Sequence, residues 1–316
     1  MTFGNEPISS GIVERAAPAR AGCYLIHGLL GFLLATAALP VSAAAAEADA
    51  GQPAVDKSAY HLFNPTPSKY MREMDVDGPG TTESPYTLDA GHFQVEMTLF
   101  GYSSYKETFD GVKYRYDFWS IGPVNLKVGL FDKLDMQLVL EPYNHVHERE
   151  DGYYEVTRKG FGDTTLRFKL NCWGNDSGRT ALALTPYMRF PTSDEGLGND
   201  RISGGLIVPA SVALPGDFYL GLTGGIAKAR SDDEQNYHTE YTASAALAHS
   251  LFGDLLGYVE YYNAWSTEKG VGNVGTFNAG LIYSVTDNLQ LNTGVNIGLT
   301  TWADDWYGFV GMAWRY

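Results

Sequence analysis

From residue 93 to the end of the chain, apolar and polar residues alternate with a period of two, which is the pattern of β-strands. In the first segment Phe93, Val95 and Leu99 share one parity, and polar residues occupy the other. In the second segment Tyr116, Phe118 and Leu126 share the apolar parity, and Pro123 interrupts the segment and predicts a β-bulge there. Twelve segments follow the pattern: 93–99, 114–130, 134–140, 164–170, 181–190, 205–214, 218–228, 241–251, 255–265, 274–284, 289–299 and 306–316.

The connections between these segments alternate in length. Short turns are predicted at 131–133, 215–217, 252–254 and 285–288, with a somewhat longer one at 171–179. Long polar loops are predicted at 101–112, 146–161, 191–203, 229–240 and 266–273, with a shorter loop at 300–305. Short turns at one end and long loops at the other indicate an all-β, antiparallel, up-and-down barrel of about 12 strands. An even strand number leaves both termini at the short-turn, periplasmic end.

A soluble sandwich or a lipocalin-like barrel would also alternate, so the ends of the strands decide between the classes. Aromatic residues gather there, as at Tyr102, Trp119, Tyr143, Trp265 and Trp306. The segments are about long enough to cross a bilayer when tilted, and aromatic belts mark membrane interfaces. The pattern therefore favours a transmembrane barrel over a soluble one.

The last segment ends the chain on an aromatic residue. Gly308, Val310 and Met312 share one face with Trp314 and Tyr316. This arrangement is similar to the C-terminal signature of bacterial outer-membrane barrels. Trp314 and Tyr316 are therefore the predicted barrel-insertion signal, and the insertion machinery is an expected partner.

The first 46 residues are predicted to be a secretory signal peptide. Arg15 and Arg20 precede an uncharged stretch, and small residues end it with Ala44 and Ala46 at the A-x-A positions. A helical membrane anchor is the alternative, but Pro40 and the alanine run would make a poor span. The mature chain is therefore expected to be exported, with 47–90 as an irregular N-terminal segment and 91–316 as the barrel.

The irregular segment has two possible positions. Its prolines, among them Pro65, Pro67, Pro79 and Pro85, exclude a long helix. It could fold into the lumen as a plug or remain in the periplasm as an arm that binds a partner. An inward plug is the preferred interpretation.

Charge and cysteine content narrow the function further. The net charge is −15, which makes nucleic acid an unsuitable partner. Cys23 lies in the predicted signal peptide, so Cys172 remains alone and no intramolecular disulfide is expected in the mature protein.

The polar parity of the strands predicts the residues that line the lumen. They are Glu96, Lys127, Asp135, Glu141, Arg167, Lys169, Arg189, Glu260, Asn292 and Asn296. In an open barrel these side chains would form a constriction that sorts solutes by charge and hydrogen bonding. In a closed barrel the opposite charges would neutralise one another and fill a narrow lumen, since twelve strands enclose less space than a porin does.

Other candidate sites are weak. His145 and His147 could ligate a transition metal, but a solvated loop is the commoner reason for such a pair, so no metal and no cofactor are predicted. The acidic loop clusters could hold divalent cations shared with lipid phosphates, although solvated loops explain them too. His249 and Ser250 are adjacent on a strand and point to opposite faces, so they cannot act together as base and nucleophile. The chain is therefore not expected to be an enzyme.

The N-terminal region resembles a known family. Its residues 82–96, which read Thr-Glu-Ser-Pro-Tyr-Thr-Leu-Asp-Ala-Gly-His-Phe-Gln-Val-Glu, are similar to the outer-membrane transporter family associated with meta-pathway phenol degradation. Gly162-Asp163-Thr164 and Arg189-Phe190-Pro191-Thr192 carry the same resemblance. Members often have Asp-Arg-Pro-Asp where this chain has Asp77-Gly78-Pro79-Gly80. The resemblance implies a barrel with a transport role.

Together these observations predict an outer-membrane channel or transporter for the passive uptake of small, aromatic or apolar, solutes. The alternatives are a closed structural or surface-binding barrel and, third, an outer-membrane lipid hydrolase. Outer-membrane lipid, lipopolysaccharide and a small solute are the expected partners.

Overall fold

The computed structural model describes residues 55–109, 111–231 and 236–316. The predicted signal peptide lies outside these residues. Within them, no helix has both the length and the apolar character needed to cross a membrane.

Fifteen strands form one antiparallel sheet, and β15 pairs with β1 to close it into a barrel. A single 3-10 turn, Ser68–Tyr70, precedes them in the described segment. The strands are β1 (Phe93–Phe109), β2 (Val112–Ile121), β3 (Val124–Phe131), β4 (Leu134–Leu140), β5 (Tyr143–Glu150), β6 (Tyr154–Gly160), β7 (Thr164–Trp173), β8 (Thr180–Phe190), β9 (Ser203–Leu214), β10 (Phe218–Arg230), β11 (Tyr237–Phe252), β12 (Leu255–Ser266), β13 (Val274–Thr286), β14 (Leu289–Gly298) and β15 (Trp306–Arg315).

The fifteen strands make up twelve spans of the barrel wall, because in three places two consecutive strands are the halves of a single span. The pairs β2 and β3, β4 and β5, and β6 and β7 are separated only by residues 122–123, 141–142 and 161–163. The twelve-strand antiparallel barrel predicted from the alternation is confirmed.

Several predicted connections are strand in the structure. Residues 101–109 and 112–121 pair with each other across a tight hairpin, and 143–150 pair with 154–160 in the same way. The prediction of long loops at 101–112 and 146–161 is therefore wrong. The polar composition of these stretches reflects strands that continue beyond the bilayer into water.

The barrel has apolar residues outside and polar residues inside. Leu222, Ile226 and Leu281 are exposed on its outer surface, while Lys169, Gln137 and Asn278 are completely buried. A soluble protein shows the opposite arrangement, whereas a barrel in lipid must present apolar side chains to the acyl chains. The fold is therefore that of a membrane-spanning barrel.

In each of the first four spans, the parity of the inward-facing residues changes at about the same level of the barrel. In the second span Lys127 faces inward on one side of residues 122–123, and Phe118, of the opposite parity, faces inward on the other. The first span shifts register between Thr98 and Phe100. One extra residue in a strand moves all later side chains to the opposite face. The prediction that Tyr116 and Phe118 share an outer face with Leu126 is therefore wrong.

Beyond these breaks the sheet has an apolar inner face. Tyr105, Tyr116, Phe118 and Val146 form a buried core, and Leu197 from the loop between β8 and β9 packs against it. This core lies inside the long-loop, extracellular end of the barrel. It narrows that end on the side of the first four spans.

Candidate functional site

On the periplasmic side of the breaks, the inner wall of the barrel is polar. The structure places the predicted lumen residues as follows: Lys127, Asp135, Arg167, Lys169, Arg189 and Glu260 are buried on the inward face, and Glu96, Glu141, Asn292 and Asn296 are half-buried. Asn144 donates to Glu141 over 2.8 Å, and Asn292 and Asn296 line the central cavity.

Residues 75–88, here called the inner segment, occupy the lumen. Asp77 accepts from two wall lysines: Lys127 Nζ lies 2.9 Å from Asp77 Oδ2, and Lys169 contacts Oδ1. The Asp77 amide donates to Glu96 over 3.1 Å, and Lys127 also contacts Glu96 at 3.0 Å. Four charged groups therefore join the inner segment to one side of the wall.

The other side of the wall holds the turn of the inner segment. Glu260 accepts the backbone N–H of Thr81 over 3.0 Å and that of Thr82 over 2.6 Å. Gly80 approaches so closely that a Cβ atom there would lie 2.7 Å from Glu260 Oε2. Glu83 contacts both sides: its carboxylate pairs with Arg167, which lies on β7 with Lys169, and its amide donates to Thr223 over 2.8 Å. Contacts from opposite walls thus fix the inner segment across the lumen.

A second set of charges, here called the periplasmic clasp, holds the chain on either side of the inner segment at the short-turn end of the barrel. Lys57 lies 2.6 Å from Asp176 and 3.2 Å from Asp89. Arg72 contacts Asp132 and Asp176, each at 2.9 Å, through the same guanidinium nitrogen. Asp132 and Asp176 belong to short turns of the barrel, so the clasp ties the segment to its rim.

Acid is expected to weaken the periplasmic clasp. Burial raises the pKa of Asp176, but the Lys57 hydrogen bond and the Arg72 charge outweigh it and hold that pKa below its ordinary value. A lowered folded-state pKa stabilises the fold above the ordinary value of about 3.9, and this contribution disappears as the pH falls through the folded pKa. Below about pH 4 the segment should detach more often, which conductance recordings at pH 7 and pH 3 would measure.

The variant Asp176→Asn should behave at pH 7 as the wild type does in acid, and its response to pH should be smaller. Asp217→Asn is the matched control, since Asp217 lies on another short turn outside the clasp. Equal pH responses of the wild type and Asp176→Asn would contradict this role of Asp176.

Above the inner segment lies a cavity of about 580 Å³. The inner segment forms its floor, and Met97, Val124, Tyr307 and Phe309 give part of its wall an apolar character. Toward the extracellular end the lining becomes charged, with Arg230, His238, Glu240, Glu268 and Asp304. The volume lies within the range of about 300–1,000 Å³ typical of small-molecule sites.

The predicted insertion residues lie on the outer surface at the closing seam. Trp314 pairs with Val95 of β1, and both Trp314 and Tyr316 are exposed. The backbone of Tyr316 exchanges two hydrogen bonds with Phe93, of 2.8 and 3.0 Å. The terminal aromatic residue thus joins the last strand to the first.

The histidine motifs have other contacts in the structure. His145 stacks on Trp119 at 4.8 Å between ring centroids, and His147 lies 3.0 Å from Glu155. Across the described ranges, no three His, Cys, Asp or Glu residues are grouped to hold a metal. His249 stacks on Phe218 and hydrogen-bonds the carbonyl of Asp217, not Ser250.

Sequence reasoning missed the partners of the wall charges. Asp77, Glu83, Thr81 and Thr82 lie in a stretch without periodicity, so parity gives no information about them. The acidic residues of a proline-rich segment directly before a barrel are the available signal, since an inward charge in a narrow lumen requires a counter-charge.

Several solved structures are similar to this chain, and one of them, an outer membrane channel, shows the same fold. An outer membrane channel from Pseudomonas putida F1 superimposes with a TM-score of 0.55 at 14% identity, covering 77% of this chain and 100% of that chain. The transport unit of the autotransporter AIDA-I from Escherichia coli gives 0.47 at 12% identity, covering 77% and 93%. The translocator domain of NalP from Neisseria meningitidis gives 0.45 at 12%, covering 76% and 91%.

No curated protein is detectably similar to the chain. The closed barrel with its apolar outer face places the protein in the bacterial outer membrane. The family model described as the putative MetA-pathway of phenol degradation matches residues 76–316. The resemblance read from residues 82–96 is thereby confirmed, and the chain belongs to this family.

Proposed function

We propose that the protein is a passive outer-membrane channel for small solutes whose opening is set by the inner segment. The observation that carries the proposal is the cavity of about 580 Å³ inside a closed, polar-lined barrel. Its floor is a segment that hydrogen bonds and ion pairs tie to the wall. Such contacts can break and re-form, so the floor can move without unfolding the wall.

Small aromatic or apolar solutes are the proposed substrate class. Tyr307, Phe309, Trp302 and Met97 offer such a solute an apolar surface within the cavity. The family description refers to phenol degradation, and the structurally similar protein from Pseudomonas putida F1 is described as an outer membrane channel. Solute movement would follow its concentration gradient, without energy coupling by this chain.

A closed structural or surface-binding barrel is the second candidate, and the contacts of the inner segment favour it. Lys169 and Arg167 bind Asp77 and Glu83 of the segment from one wall, and Glu260 binds Thr82 from the opposite wall, which would block the lumen if these contacts never opened.

We assign no catalytic step to the protein. His249, which neighbours Ser250 in the sequence, stacks on Phe218 and hydrogen-bonds the carbonyl of Asp217.

Single-channel recording of the refolded mature protein in planar bilayers tests the proposal. We expect discrete conductance whose ion selectivity depends on the wall charges. Glu96→Gln removes a negative charge and should shift the reversal potential toward anion preference, whereas Arg189→Gln should shift it toward cations.

A lack of conductance in both the full mature chain and a variant without residues 47–90 would exclude the channel and favour the closed barrel. Conductance that neither charge substitution alters would contradict a lumen lined by these side chains. Folding of each variant is checked by the heat-dependent electrophoretic mobility of the barrel.

A further inference from the structure

Residues 61–64, here called the rim hairpin, form a tight turn ahead of the inner segment. The backbones of His61 and Asn64 exchange hydrogen bonds of 3.0 and 2.8 Å, which leaves Leu62 and Phe63 at the tip of the turn. The rim hairpin is therefore an ordered element of the N-terminal segment, although it belongs neither to the barrel strands nor to the inner segment.

Strand β3 fixes the level of the rim hairpin. Phe131 is the last residue of β3, at the periplasmic end of the second span, and His61 forms an antiparallel bridge with it. The amide of Leu62 donates to the carbonyl of Leu130 over 2.9 Å. Antiparallel chains run in opposite directions, so the residues that follow His61 advance from the rim toward the membrane. The tip of the rim hairpin therefore lies at the level of the last apolar residues of β3.

At this level the lumen side of β3 is already occupied. Gly129 has the inward parity of Lys127, and a Cβ atom on it would clash with the carbonyl oxygen of Asp89. The carbonyl of Gly129 also accepts the amide of Gly91 over 2.8 Å. The chain that leads from the inner segment into β1 therefore passes inside the wall, and the rim hairpin is left at the outer surface.

Phe63, at the tip of the rim hairpin, is the most exposed of the large hydrophobic residues that the structure describes, at 87%. Its ring lies edge-on to that of His61, with centroids 6.5 Å apart. A phenyl ring that an ordered turn holds away from the protein is unfavourable in water, and it is stabilised where apolar groups surround it. The exposure of Phe63 therefore indicates a surface that something other than the described chain covers.

The neighbouring outer surface belongs to the aromatic belt of the barrel. Phe93, Phe131 and Tyr316 are exposed at the periplasmic ends of β1, β3 and β15. Aromatic residues concentrate where acyl chains meet head groups. The rim hairpin reads His-Leu-Phe-Asn, without Asp, Glu, Lys or Arg, whereas the barrel turn beside it contains Asp132 and Lys133. The level, the exposure and the composition of the rim hairpin thus continue the belt.

We propose that the rim hairpin is a membrane anchor, in which Phe63 inserts between phospholipids of the inner leaflet where head groups meet acyl chains. The polar side chains of His61 and Asn64 remain among the head groups. The anchor and the start of β1 hold the inner segment from both sides, so a released inner segment stays tethered to the rim. This inference depends on the membrane position of the barrel and not on conduction through its lumen.

Collision rates of a nitroxide spin label in phospholipid vesicles test the proposal. In a Cys172→Ser background, the label is attached to Phe63→Cys, to Phe131→Cys as a belt reference, and to Ser58→Cys as an exposed position of the same N-terminal segment. Oxygen partitions into the bilayer, whereas a nickel chelate remains in water. The label at position 63 should match the label at 131, with frequent oxygen and few nickel collisions, and should differ from the label at 58.

Frequent nickel collisions at positions 63 and 58 alike would place the rim hairpin in water and overturn the proposal. Few collisions with either reagent at position 63 would also overturn it, because protein, such as a second copy of the chain, would then cover the ring. Heat-dependent electrophoretic mobility checks that each labelled variant has folded.

Hydrogen exchange at the amide of Leu62 in the same vesicles gives a readout without a label. In Phe63→Ser this amide should exchange about tenfold faster than in the wild type, because the turn loses its lipid contact. Phe63→Trp should exchange like the wild type, since tryptophan suits the same interface. Tyr153→Ser is the matched control, because Tyr153 is an exposed aromatic residue in the turn between β5 and β6. Wild-type exchange in Phe63→Ser would mean that lipid does not hold the turn.

Discussion

Replacing Asp77 by asparagine is expected to release the inner segment and to raise the fraction of time that the channel conducts. Asp77 stands between Lys127 and Lys169, whose side chains are 3% and 0% exposed. Removing one partner of a buried ion pair costs about 3–5 kcal/mol, because the remaining charge stays desolvated. Here one substitution takes a counter-charge from both ammonium groups, although Lys127 keeps its contact with Glu96, so the segment should leave and admit water to them.

Two readouts measure this release. Single-channel recordings should show longer openings, and hydrogen exchange should accelerate at the amides of Thr81 and Thr82, which are protected by Glu260 in the wild type. Asp75→Asn is the matched control, since the carboxylate of Asp75 accepts from the neutral hydroxyl of Ser84 over 2.8 Å. It should change neither readout substantially.

A second substitution separates the charge effect from a general loss of packing. In Asp77→Asn, replacing Lys169 by methionine removes a buried ammonium group whose ion pair with Asp77 is lost, and it should restore part of the protection. If Asp77→Asn conducts and exchanges like the wild type, the ion pairs do not hold the segment, and its hydrogen bonds to Glu260 are sufficient.

The strand number could be predicted from the sequence because alternation is a local property. Each segment, such as 274–284 or 289–299, shows its inner and outer faces in its own residues. The change of face could not be predicted in full. Pro123 signals one break, but the shift between Thr98 and Phe100 has no proline or glycine to mark it. Pro123 marks a bulge but does not show that the parity changes across it, so Tyr116 is predicted on the outer face and lies on the inner one.

The charged residues of the lumen could be predicted from the parity of the strands, but their partners could not. Lys169 contacts Asp77 across 92 residues of sequence, and Arg167 contacts Glu83 across 84. The alternation around Lys169 and Arg167 does not indicate which residues of the N-terminal segment they contact. In the stretch Asp77-Gly78-Pro79-Gly80, Gly80 lies so close to Glu260 that a larger residue would have to displace that carboxylate. The contact explains the glycine, but only the fold reveals the contact.

Deletion of residues 47–90 is expected to give a larger and steadier conductance than any point substitution. The deletion removes the floor of the cavity and the periplasmic clasp together, so the lumen should open from end to end. The wall itself has backbone pairing on every side, with β15 closing onto β1. The barrel should therefore still fold and keep its heat-dependent mobility.

The same deletion should shift ion selectivity toward anions. Around the inner segment the wall carries three cations, Lys127, Arg167 and Lys169, and three carboxylates, Glu96, Asp135 and Glu260. Asp75, Asp77 and Glu83 add three negative charges to this balanced set, and all three are lost with the segment. Reversal potentials in a salt gradient measure the shift. A shift toward cations, or an unchanged small conductance, would mean that the segment does not fill the pore in the membrane.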